Sequence, residues 1–104
     1  MINNPASILI PIFDTCIHDE KELTANVAAV ICKANGERKY AAFINNSQIE
    51  ILLVLSELNK VTLNKGLLLK PGGSYEINFN NLYVGAVCAV SKFTCKLSFV
   101  ECVE

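Results

Sequence analysis

The sequence predicts an all-β fold: a compact antiparallel β-sandwich of about seven or eight short strands, with one short helical turn. Three observations lead there. Turn-forming residues recur at short, fairly even intervals, and eleven Asn supply much of this punctuation. The runs between them are about five to ten residues long and rich in Val, Ile, Leu, Phe and Tyr, which is strand length and strand composition. Several runs either alternate apolar with polar residues or are apolar on both faces, the two patterns of half-buried and fully buried strands.

Along the chain, residues 1–7 show no strand alternation and carry no charged side chain. They are expected to form a flexible arm ahead of a single sandwich domain spanning residues 8–104. Ile8 to Cys16 is expected at a sheet edge, because Pro11 cannot donate a ladder hydrogen bond. Asp19-Glu20-Lys21-Glu22 is read as a solvated acidic turn. Thr24 to Lys33 and Arg38 to Asn45 flank Asn35-Gly36, a short hairpin signal. Ser47-Gln48-Ile49-Glu50 matches a helix capping box, and Ile51, Leu52, Leu55 and Leu58 fall at helical spacing. The same stretch alternates as Ile49, Ile51, Leu53 and Leu55, so periodicity alone does not decide; the reading adopted is a strand through Leu55 and a helical turn around Ser56 to Lys60. Lys70-Pro71-Gly72-Gly73 is a second hairpin turn: Pro presets the first corner and Gly accepts positive φ. Ser74 to Phe79 alternates cleanly, with Tyr75, Ile77 and Phe79 on one face. Tyr83 to Val90 is apolar on both faces, as in a central strand, and Lys96-Leu97-Ser98-Phe99 resumes the alternation.

Composition narrows the function classes. The 104 residues are 52% hydrophobic and 18% charged, with a formal net charge of -1. So apolar a chain is not a disordered tail. Without a basic excess, nucleic-acid binding is not expected. The longest apolar stretch, Leu82 to Val90, is far below the roughly 18–20 residues that cross a bilayer, so no membrane association is expected. The start of the chain lacks Lys and Arg, so no signal peptide is expected and folding is placed in the compartment of synthesis. The odd count of five cysteines, set in apolar runs such as Val30-Ile31-Cys32 and Val87-Cys88-Ala89, predicts reduced core thiols and no disulfide. The high apolar fraction suggests that some surface meets another protein chain.

Few residues carry chemistry. His18 is the only histidine, so any nucleophile–histidine mechanism must use it. Cys16 and His18 would share one face of a strand, and a thiolate pair or half of a zinc site could be built there. No second Cys-x-x-Cys or Cys-x-His supplies the remaining ligands. Asp14, Asp19, Glu20 and Glu22 form a local acidic group, read as solvated rather than as a calcium site. Pro71-Gly72-Gly73-Ser74 lacks the Gly-Lys-Ser/Thr ending of a phosphate loop. Arg38 and Lys39 are read as a solvated strand start or as partners for a nearby carboxylate. No catalytic, cofactor or metal residues are assigned.

Asn35-x-x-Arg38-Lys39, Asn45-Asn46-Ser47, Leu67-x-Leu69-x-Pro71-Gly72-Gly73-Ser74-Tyr75-Glu76-Ile77 and Asn81-Leu82-Tyr83-x-Gly85-x-Val87-x-Ala89-Val90 follow one another in order. In this the chain resembles small structural proteins of tailed bacteriophages: capsid auxiliary, decoration or fibre-base proteins. The resemblance spans Val27 to Glu101. Cys88 departs from it, since such chains often carry an aromatic residue there.

The resemblance implies a non-catalytic virion protein, made and folded in the host cytoplasm. Its partner would be the major capsid protein lattice or another virion protein, with self-association as a further option. A neck, tail or fibre-attachment role, or a small carbohydrate-binding sandwich, are the alternatives. The resemblance gives Asn35, Asn45-Asn46-Ser47 and Pro71-Gly72-Gly73 turn-shaping roles, and has Gly85 permit close packing between sheets. Read from the residues, Met1, Ile2, Asn3, Asn4 and Pro5 are the candidate protein interface, with Ile2 as apolar anchor and the two Asn satisfying backbone groups.

Overall fold

A computed structural model describes residues 13–104. The chain forms β1 (Thr15–Leu23), β2 (Ala29–Cys32), β3 (Arg38–Ile44), β4 (Ile51–Val54), β5 (Leu67–Leu69), β6 (Ser74–Ile77), β7 (Val87–Ser91) and β8 (Cys95–Val103), with one 3-10 turn at Leu58–Lys60. The pairing follows a simple rule. β1 pairs with β8, β2 with β7, β3 with β6 and β4 with β5, all antiparallel. These are the four ribbons of a chain doubled back on itself and rolled up. Further ladders between β3 and β8 and between β4 and β7 join the ribbons into two four-stranded sheets, β1-β8-β3-β6 and β2-β7-β4-β5. The expected sandwich is therefore present, and its strand order is that of a jelly roll.

The core lies between the sheets. Ala41 and Phe43 of β3, Ile51 and Leu53 of β4, and Ile77, Val87, Ala89 and Leu97 are fully buried. Phe43 stacks on Phe99 with ring centroids 6.5 Å apart. Full burial of a Leu, Ile or Phe side chain stabilises by about 1.5–3 kcal/mol, so this layer dominates the fold's apolar stabilisation. All five residues of β7 are buried, as expected for a central strand. A bulge in β2 between Val30 and Cys32 breaks the two-residue alternation and lets Ile31 and Cys32 both join the core.

Several local expectations are corrected. Asp19-Glu20-Lys21-Glu22 is not a turn but the middle of β1, whose residues Thr15 to Glu22 are all exposed; only Leu23 is buried. A charged run can be a strand when one ladder holds it at a sheet edge. Asn35-Gly36 and Lys70-Pro71-Gly72-Gly73 are not hairpin turns. Each joins strands of opposite sheets, β2 to β3 and β5 to β6. Turn chemistry reports a reversal of direction, and the ladder partner of each strand here comes from the other half of the chain. The segment after Ser47 forms β4 and then the 3-10 turn, as the adopted reading has it. Its capping-box residues instead close a tight turn, in which the Ile49 amide donates to Ser47 Oγ.

The second reversal has the geometry its residues favour. Gly73 N–H donates to Lys70 O at 2.7 Å, and Gly72 has φ of 84°. With Pro71 at the first corner this is a type II turn, where any residue with a Cβ would be strained at position 72.

Candidate interaction surface

Two buried polar residues fix the ends of β3 and so determine which side chains remain for the surface. A bulge in the β3–β8 ladder between Arg38 and Tyr40 turns Arg38 inward, although its neighbours in the alternation would face it outward. The Arg38 side chain is fully buried. Its Nε donates to Glu101 Oε2 at 2.7 Å, Nη1 to the carbonyls of Tyr83 and Gly85, both at 2.9 Å, and Nη2 to the carbonyl of Lys33 at 2.8 Å. Beside it, burial, reinforced by the negative charge of Glu101, pushes the Cys32 thiol up to about 12. Gly85 serves this joint, not packing between sheets. A Cβ there would lie 2.5 Å from the Tyr83 hydroxyl, which donates to Ala86 O.

At the opposite end, Asn45 is also fully buried. Its amide donates to the carbonyls of Ile49 and Leu69, and its Oδ1 accepts from the Ser47 backbone amide at 3.0 Å. Its backbone exchanges hydrogen bonds with the type II turn, from Asn45 N–H to Gly73 O and from Gly72 N–H to Asn45 O. Among the described residues no buried side-chain nitrogen or oxygen lacks a hydrogen-bond partner. Arg38, Asn45 and the Pro71 turn therefore spend their polar atoms inside the fold, not on an anion.

The cysteine expectation is overturned at Cys16. Cys16 and Cys102 sit directly opposite in the β1–β8 ladder, their Cα atoms 4.0 Å apart, and form a disulfide. The odd cysteine count concealed it, because Cys32, Cys88 and Cys95 remain free. The bond fastens the exposed edge strand to β8 at the end far from Leu23. It also removes Cys16 as a nucleophile or thiolate ligand. His18 is exposed on β1, beside Val100 in the ladder. Among the described residues no three His, Cys, Asp or Glu side chains come together as a metal site, and no helix is long and apolar enough to cross a membrane. The predicted interface residues Met1 to Pro5, like the rest of the arm, lie outside the described residues.

The outer faces of the two sheets differ. On the β1-β8-β3-β6 sheet the outward residues are mixed, with His18, Tyr40 and Glu76 beside Ala42, Ile44 and Val100. Tyr40 donates to Glu76 Oε2 at 2.6 Å, which holds the Glu76 carboxyl below its usual range and raises the Tyr40 hydroxyl. Phe13 stacks on Tyr40 at 5.9 Å. On the other sheet the ladder aligns Leu68, Leu52 and Val90 in one row pointing away from the core. The loop between β4 and β5 folds over part of this face, where the Cys88 thiol donates to Ser56 O.

Beyond that cover a groove of about 570 Å³ lies open at the Asn45 end. Leu52, Leu63, Leu68, Val90 and Phe93 line it, and Gln48, Glu50, Asn64 and Lys92 stand around them. Leu63, Leu68 and Phe93 are 51%, 52% and 61% exposed. An exposed apolar cluster with polar residues around it is the usual form of a binding surface. Sequence reading passed over it, because the members come from three separate stretches of the chain and Leu63 and Phe93 lie in loops. No family model, no curated protein and no solved structure matches the chain.

Proposed function

We propose that the chain is a non-catalytic virion structural protein, a capsid auxiliary or decoration protein of the tailed-phage type that binds the lattice of major capsid subunits. The observation that carries this reading is the eight-stranded jelly roll, an architecture used by viral capsid domains, combined with an exposed apolar groove on one outer face. Fold alone does not assign function. The resemblance adds support, because the residues that carry it, Asn35, Arg38, Asn45, Pro71 to Gly73 and Gly85, are the joints of this architecture. A modest groove suits a partner repeated many times, since multivalent attachment amplifies weak contacts. On this reading the Cys16–Cys102 bond closes after release from the reducing host cytoplasm. The test is to purify virions from infected cells making a tagged copy, and to measure its abundance by mass spectrometry and immunogold labelling. Recovery at copy numbers comparable with the capsid protein is expected. Confinement of the tag to the soluble fraction would overturn the reading.

A glycan-binding module is the second reading, favoured by the groove itself. Phe93 offers an exposed aromatic face, Gln48 and Asn64 are planar amides beside it, and lectins also use jelly rolls. Glycan-array binding that Phe93→Ala abolishes would decide for it.

A further inference from the structure

The groove and the start of the described chain lie on opposite faces and at opposite ends of the sandwich. Phe13 stacks on Tyr40, on the outer face of the β1-β8-β3-β6 sheet and near the Arg38 end. The groove is on the outer face of the other sheet, beside residues 48–50 and 91–93, at the Asn45 end. We propose that residues 1–12 of one copy occupy this groove on a second copy, joining copies head to tail.

Chemistry matches the two parts. The segment is Met1-Ile2-Asn3-Asn4-Pro5-Ala6-Ser7-Ile8-Leu9-Ile10-Pro11-Ile12, with no charged side chain and an aliphatic block at Ile8, Leu9, Ile10 and Ile12. The groove presents Leu52, Leu63, Leu68, Val90 and Phe93. Within the groove neither Glu50 nor Lys92 is asked to face a charge of its own sign.

Reach decides between the chain's own groove and a neighbour's. Ile8 is five residues from Phe13, at most about 17 Å of extended chain. Tyr40 to Asn45 is also five residues, about 17 Å along β3, and the sheets are about 10 Å apart, so even a line through the core is roughly 20 Å. A path over the surface is longer still. The aliphatic block therefore falls short of its own groove and meets one on another copy. Such a contact is heterologous: each copy offers one arm and one groove, so association continues into rings or filaments instead of stopping at a symmetric dimer. This assembly needs no capsid and stands apart from the virion reading.

The experiment uses the full chain in sedimentation velocity over a wide concentration range. Wild type should form species beyond a dimer. Ile8→Asp/Ile10→Asp in the arm and Leu68→Glu in the groove should each weaken association by about tenfold or more, the effect of removing a buried aliphatic contact. Leu68 is half exposed, so its substitution should leave thermal unfolding in place, and Phe93→Glu is the alternative if it does not. An equimolar mixture of the arm variant and the groove variant retains one intact arm and one intact groove. It should form a heterodimer and nothing larger. A wild type monomeric at all concentrations, association that survives both variants, or a mixture that stays monomeric while wild type assembles would each overturn the proposal.

Discussion

The two ends of β3 solve the same problem with different chemistry. At the Arg38 end a cation is buried and needs a carboxylate, three carbonyls and a bulge to hold it, and the Cys16–Cys102 disulfide lies nearby in the adjoining β1–β8 ladder. At the Asn45 end a neutral amide collects two carbonyls and a backbone amide and binds the Pro71 turn. A buried charge is costly to leave unpaired, whereas a buried amide loses only dipolar hydrogen bonds. The charged end should therefore be the brittle one. The neutral end can carry an open groove beside it.

The largest effect expected from breaking this comparison is at Arg38. Arg38→Ala leaves Glu101 and three carbonyls without their donor and should destabilise by about 3–5 kcal/mol in urea unfolding. Reducing the Cys16–Cys102 bond, or replacing both cysteines by Ala, should cost about 2–4 kcal/mol by the same measure, since the link spans 86 residues. Amide exchange should then quicken most along β1 and leave the Asn45 end as it was. Asn45→Ala should cost about 2–3 kcal/mol, because several buried backbone groups lose partners. Measured together with Arg38→Ala, the two losses should add, since the sites lie at opposite ends of a strand with no shared partner.

The effect that vanishes at neutral pH and is felt only in alkali is a pH dependence at the charged end. An unfolded Cys32 thiol ionises near 9.0, but the folded one keeps its proton to about 12. Its contribution is therefore complete below pH 9 and is lost as pH rises toward 12. Tyr40 and Tyr83, whose hydroxyls are also raised, act in the same direction. Cys32→Ala should flatten the alkaline fall in urea midpoint without removing it. Iodoacetamide should leave native Cys32 unmodified at pH 8.

What sequence could and could not show follows the same division. The apolar run Tyr83 to Val90 and the alternation through Ser74 to Phe79 are local patterns, and each contains a strand; the strands are shorter than expected, since β6 ends at Ile77 and leaves Phe79 exposed, and β7 begins only at Val87. The type II turn at Pro71-Gly72 is equally local. Reading Arg38 as a solvated strand start or a partner for a nearby carboxylate catches its pairing with Glu101 but not its burial; the bulge before Tyr40 inserts one residue into an alternation counted in twos, and nothing in Arg38-Lys39-Tyr40 announces it. The Cys16–Cys102 bond depends on the pairing of the first and last strands, which spacing along the chain does not encode. The groove was hidden for a related reason: Leu52, Leu68 and Val90 meet only through two ladders, and the outward residues of an apolar strand look the same as the inward ones.

The ribbon of β1 and β8 has a practical consequence. Thr15 lies opposite Val103, so the chain enters the described fold and reaches Glu104 side by side, at one end of the molecule. The groove is at the other end, about 23 Å away along the seven residues of β3. Cargo genetically joined through Glu104 would lie at the Phe13 end, remote from the groove of its own copy but beside the root of the segment that the proposed assembly seats in the next copy's groove. The two ends of the domain are thus unequal as attachment points: one carries the paired strand ends, the other the groove.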